Sequence, residues 1–168
     1  GNDYFDDTSF HNGEPQKYEG YCTDVWFENA LNFIESNRNQ PFFCYVPTNA
    51  PHSPYYVPEK YKAMYEGKEK VVNPAFYGMI TNIDDNMGRL LAKLRELGLE
   101  ENTVVMFSSD HGRALGEFGH GEKCTFDDQV WRVPNVWSWP GHLPMGEVRE
   151  DLCELVDTGR TLLCLAGL

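Results

Sequence analysis

His52, Asp110, His111 and Lys123 are the residues of this chain whose types and settings suit chemistry on an anionic ester. In Ser109-Asp110-His111-Gly112 a carboxylate stands beside an imidazole. One oxygen and one nitrogen can therefore meet the same cation, and Gly112 lets the backbone turn away at once. Read alone, the same dipeptide is a turn aspartate beside a solvated histidine. Lys123 follows Gly112, Gly116, Gly119 and Gly121, which are spaced along a loop. His52 lies between Pro51 and Pro54, which stiffen the backbone that would position a proton donor. A metal on Asp110 and His111, together with Lys123, would neutralise the non-bridging oxygens of an oxyanion ester. His52 would protonate the leaving group.

Charge narrows the partners. Lys and Arg number 14 against 26 Asp and Glu, a net charge of −12. That field repels a phosphate backbone, so no nucleic-acid partner is expected. It also means that an anionic substrate needs a local positive centre. The 168 residues are 41% hydrophobic and 24% charged, values of a globular domain. No apolar run reaches the roughly 18–20 residues of a membrane span. No basic segment followed by an apolar run opens the chain, so no signal peptide is visible. The five cysteines form no C-x-x-C pair, and Cys44 and Cys164, in apolar runs, are expected as core thiols.

The elements that would position these residues follow from periodicity. Residues 1–20 read as irregular chain, and 21–168 as one α/β core. A helix is predicted over 23–37, with Thr23 as its cap and Val25, Trp26, Ala30, Phe33 and Ile34 as its apolar stripe. The run Phe42-Phe43-Cys44-Tyr45-Val46 does not alternate, which suits a strand buried on both faces. Pro47, Pro51, Pro54, Pro58 and Pro74 then enforce a long loop. A second helix is predicted over 74–97. Pro74 takes its first position, Gly98 follows its end, and Phe76, Ile80, Ile83, Met87, Leu90, Leu91 and Leu94 form its buried face. Further strands are predicted over 103–107, 133–139 and 152–156, with Asp157 capping a last helix over 162–166. The alternation implies an α/β sandwich with a largely parallel or mixed sheet flanked by helices. Ligands of such sheets sit beyond the C-terminal strand ends, so the four candidate residues are expected to converge there.

The segments also occur in a recognisable order. Phe42 to Val46 with Pro47-Thr48-Asn49-Ala50-Pro51-His52-Ser53-Pro54, then Asp84-Asp85-Asn86-Met87-Gly88-Arg89-Leu90, resemble the type I sulfatases. So do Asn102-Thr103-Val104-Val105, Ser109-Asp110-His111-Gly112, and Lys123 with Arg132-Val133-Pro134 and Trp139-Pro140-Gly141. The resemblance implies an alkaline phosphatase-like fold, with 1–168 as a partial catalytic domain. It implies Asp110 and His111 as the second pair of calcium ligands. Magnesium or manganese stays open, because hard calcium prefers oxygen to imidazole. It implies His52 as a contact to the sulfate ester and Lys123 as the lysine near the leaving-group oxygen.

The family's nucleophile is a formylglycine made from a C/S-x-P/A-x-R motif. None of the five cysteines has it, so the nucleophile is expected N-terminal to Gly1 and this chain alone is expected to show no turnover. Phe118 stands where relatives often have His, with His120 two residues on. The implied reaction is hydrolysis of a sulfate monoester on a sulfated small molecule or sulfated carbohydrate. A phosphodiester or phosphonate monoester hydrolase of the same superfamily and a non-catalytic anionic-glycan-binding remnant are the alternatives. Family members are commonly exported, periplasmic or lysosomal; the sequence itself names no compartment. Tyr4, Phe5, Phe10, Tyr55 and Tyr56 are read either as sugar-stacking rings or as loop anchors.

Overall fold

The computed structural model describes residues 3–116, 119, 121, 123 and 125–168. They fall into two units, Gly1–Leu99 and Glu100–Leu168. The first unit opens with a β-hairpin where irregular chain was expected. Strand β1 (Thr8–His11) pairs antiparallel with β2 (Glu14–Lys17), placing Thr8 opposite Lys17. The turn is Asn12-Gly13, at φ 52° and 90°. Two successive left-handed residues are what a tight hairpin turn needs, and Asn-Gly supplies them.

Helix α1 (Cys22–Ser36) follows, then the short α2 (Glu59–Lys62) and the long α3 (Pro74–Glu96). Both α1 and α2 pack on α3. Thr23 does not cap α1; Tyr21 holds that position, and Thr23 is fully buried within the first turn. The buried stripe of α1 is Phe27, Ala30, Leu31 and Ile34, with Phe33 facing outward. Side chains of this size contribute about 1.5–3 kcal/mol each when buried.

Helix α3 starts as expected. Pro74 opens it, and the Asn73 side chain accepts the Phe76 amide at 3.1 Å. It ends in a Schellman turn. Gly98, at φ 68°, donates to Arg95, and Leu99 donates to Leu94. Its buried face differs from the predicted one. Met79, Asn82, Asn86, Leu90 and Leu94 point inward, while Ile80 and Leu91 are exposed. The cause is polar. Asn82 and Asn86 each donate a side-chain N–H to the Asp24 carboxylate of α1, at 2.8 and 2.7 Å. Gly78 meanwhile lies against the α2 backbone, where an added Cβ would come within 3.0 Å of Lys62 N. Buried amides need acceptors, and that need outranks the apolar stripe in setting the rotation.

Residues 42–46 do not form the predicted strand. Phe43 and Tyr45 are exposed, and 41–48 make no backbone hydrogen bond among the described residues. A strand exists only where a neighbour completes its ladder.

In the second unit β3 (Val105–Ser108) pairs antiparallel with β4 (Asn135–Ser138), so the ladder formed is not a parallel one. Helix α4 (Asp128–Trp131) lies between them in sequence, and α5 (Leu155–Leu165) closes the chain. Residues 152–156 are not a strand: α5 starts at Leu155, and Leu152 is exposed. Asp157 does cap this helix, but from its first turn, reaching back to accept the Glu154 amide at 3.0 Å. No residue of α5 is buried, so Cys164 is exposed rather than in a core; Cys44 is half-buried and Cys22 is buried. Among the described residues, no helix is long and apolar enough to cross a membrane.

Candidate active site

In the first unit His52 sits in the proline-rich loop that follows segment 42–46. Tyr4, buried in the core with Tyr21, Cys22, Ala50 and Met79, donates its hydroxyl proton to the His52 carbonyl. Cys22 Sγ donates to Asn49 Oδ1 at 3.3 Å, and the His52 amide donates to Asn49 O at 2.9 Å. The loop is therefore held by core residues, while the His52 ring is exposed. Its Nδ1 lies 2.6 Å from the Ser53 carbonyl. A carbonyl only accepts, so Nδ1 carries the proton and Nε2 points outward as an acceptor, becoming a donor when the ring is protonated. Burial pushes the Tyr4 phenol up to about 12 and raises the Cys22 and Cys44 thiols, so these groups stay protonated near neutral pH.

In the second unit Asp110 and His111 follow two residues beyond β3. Asp110 Oδ1 accepts the His111 amide at 2.9 Å. His111 Nδ1 lies 2.8 Å from the Gly112 carbonyl, which fixes the proton on Nδ1. Nε2 then turns its lone pair toward Asp110 Oδ2, 3.3 Å away. A lone pair facing a carboxylate oxygen calls for a shared positive charge. Lys123 supplies one: its Nζ lies 3.0 Å from His111 Nε2. The structure thus brings together Asp110, His111 and Lys123. His52 belongs to the first unit. Phe118 and His120 lie outside the described residues.

A feature that the sequence reading missed holds this cluster. Gly112 N donates to Val130 O at 2.8 Å, docking α4 on the turn that carries His111. A Cβ at Gly112 would stand 1.8 Å from Gln129 O, so only glycine fits. The signal was the Gly after Asp-His, which the sequence reading took for a turn rather than a close approach.

Asp110 Oδ2 and His111 Nε2, 3.3 Å apart, set one oxygen and one nitrogen donor side by side. Nδ1–H bound to a backbone carbonyl is the arrangement that orients a metal-ligating histidine. Two donors fall short of the six to eight that calcium takes, and no cluster of three or more His, Cys, Asp or Glu occurs among the described residues. Of the aromatic candidates, Tyr4 is a buried loop anchor and Tyr55 packs edge-on against Phe76, whereas Phe10 and Tyr56 are exposed.

A carboxylate–imidazole–ammonium cluster lies just beyond the end of β3. The sequence profile of the family described as Sulfatase matches residues 1–168. The chain is 33% identical over 162 residues to the N-acetylgalactosamine-6-sulfatase of Rattus norvegicus, covering 89% of this chain and 30% of that protein. It is 32% identical over 154 residues to the ulvan-active sulfatase of Formosa agariphila, covering 79% of this chain and 30% of that protein. Among solved structures, Ps i-CgsB in complex with k-i-k-neocarrahexaose superposes with a TM-score of 0.84 at 30% identity, over 94% of this chain and 37% of that chain. The chain belongs to the sulfatase family, within the alkaline phosphatase-like superfamily. It spans about a third of the length of the relatives it matches.

Proposed function

We propose that this chain supplies the anion-recognition part of a sulfuric ester hydrolase acting on a sulfated carbohydrate. The observation that carries the reading is Lys123 Nζ at 3.0 Å from His111 Nε2, itself 3.3 Å from Asp110 Oδ2. A divalent metal on Asp110 and His111, calcium or, given the imidazole, magnesium or manganese, would take the Nε2 lone pair that Lys123 now meets and so release the ammonium toward the anion. Such a metal, when bound, draws charge from a sulfuryl oxygen. Lys123 adds a positive charge, the local centre that a chain of net charge −12 requires. His52, by its resemblance to the family, is read as the ester-contacting histidine; with Nδ1–H on the Ser53 carbonyl, its Nε2 is the nitrogen left for that contact. The carbohydrate class is supported by the relatives, an N-acetylgalactosamine-6-sulfatase, an ulvan-active sulfatase and Ps i-CgsB in complex with k-i-k-neocarrahexaose.

The test is release of sulfate from N-acetylgalactosamine 6-sulfate by the intact protein carrying this chain. Lys123→Ala is expected to lower kcat/KM by about 100-fold, the usual loss for one charge-stabilising donor. Turnover unchanged in that variant would overturn the reading. One observation favours a second reading: the nitrogen of His111 in the metal pair suits a transition metal and a phosphonate or phosphodiester substrate. Faster turnover of 4-nitrophenyl phenylphosphonate than of 4-nitrophenyl sulfate would favour it.

A further inference from the structure

Phe126 is 93% exposed and Trp131 65% exposed, yet the two rings lie parallel, 5.8 Å apart with 6° between their planes. Trp131 Nε1 donates to Thr125 O at 2.9 Å, which fixes the indole plane. Among the described residues no apolar side chain covers the pair, and such a surface suits a flat apolar face. Its place says which face. The Gly112–Val130 hydrogen bond ties the residue before Trp131 to the residue after His111. The rings therefore stand on the chain segment docked against the anion cluster. Asp128, at the start of the same short helix, and Arg132, just past its end, are exposed and paired at 3.7 Å.

We propose that Phe126 and Trp131 form the platform on which the pyranose ring of a sulfated sugar stacks while its sulfate meets Lys123. This inference rests on the sulfate-ester reading above and adds the residues that recognise the carbohydrate. A sulfated sugar has the two ends that this surface has. Its anionic group suits the ammonium, and its C–H face, electropositive at the hydrogens, suits the negative face of an aromatic ring. A protein partner would also accept exposed aromatics, but it would have no reason to sit beside a cation cluster built for an oxyanion.

The experiment titrates the chain by calorimetry with methyl sulfate and, separately, with N-acetylgalactosamine 6-sulfate, a readout that every variant below retains. The sulfated sugar is expected to bind about ten-fold tighter than methyl sulfate. Phe126→Ala and Trp131→Ala should each remove that advantage and leave methyl sulfate binding unchanged, while Trp131→Phe keeps most of it. Phe126 touches so little that its truncation spares the fold, which separates stacking from unfolding. If both alanine variants bind the sulfated sugar as tightly as the unsubstituted chain, the platform is refuted. Methyl sulfate binding with no advantage for the sugar refutes the platform alone. Failure to bind either probe refutes the anion site, and the platform with it.

Discussion

Gly112→Ala is the sharpest test of how the site is held. The new methyl carbon would stand 1.8 Å from Gln129 O, so the turn and α4 must part by more than about 1.5 Å to restore contact. The obstacle is backbone and cannot swing aside like a side-chain tip. Parting breaks the 2.8 Å bond from Gly112 N to Val130 O, worth about 1 kcal/mol. It also lifts Val130, only 5% exposed, from its seat, a further loss of about 1–2 kcal/mol. The expected cost to the second unit is therefore about 2–3 kcal/mol. Urea unfolding followed by tryptophan fluorescence reads that unit, because Trp131, Trp137 and Trp139 lie in it and only Trp26 lies in the first. Gly121→Ala is the control, since an added Cβ there meets nothing within 4 Å. Unfolding of Gly112→Ala within about 0.5 kcal/mol of the control would mean that the close approach is absent and that α4 is not what positions His111.

Other outcomes follow from the same contacts. Asp24→Ala removes the acceptor shared by the buried Asn82 and Asn86 amides, and chemical denaturation should show a loss of about 2–3 kcal/mol; a loss under 0.5 kcal/mol would count against the polar rotation of α3. Burial raises the Tyr4 phenol to about 12 from 10.0 and raises Tyr21 as well, so the folded state holds protons that the unfolded chain has released. Stability is then full below about pH 10 and falls as pH climbs from 10 toward 12. Tyr4→Phe should lower stability at neutral pH by about 1 kcal/mol through the lost bond to His52 and weaken the alkaline fall; an unaltered alkaline profile would contradict burial as its cause. Calorimetry should find calcium bound to this chain more weakly than micromolar, and not at all after Asp110→Ala; submicromolar affinity would require donors beyond the pair at Asp110 and His111.

The sequence by itself determined the features governed by neighbours along the chain. Pro74 and Gly98 bracket α3 because a fixed φ starts a helix and a left-handed residue ends one. Asp110 and His111 fall just past β3 because strand propensity stops at Ser108. The ordered motifs pointed to the family that the profile matches. Even the hairpin turn was written in Asn12-Gly13, although the polar, proline-bearing strands around it hid the pairing. Tertiary structure decided what depends on partners far apart in the chain. Which face of α3 is buried was set by Asp24, 58 residues before Asn82, and no periodicity encodes that distance. Residues 42–46 have strand composition but no ladder among the described residues, because hydrogen-bond partners are supplied by a neighbour and not by propensity. Lys123 meets His111 from 12 residues further along the chain, a contact that the glycines of the sequence permit and that only the folded chain selects.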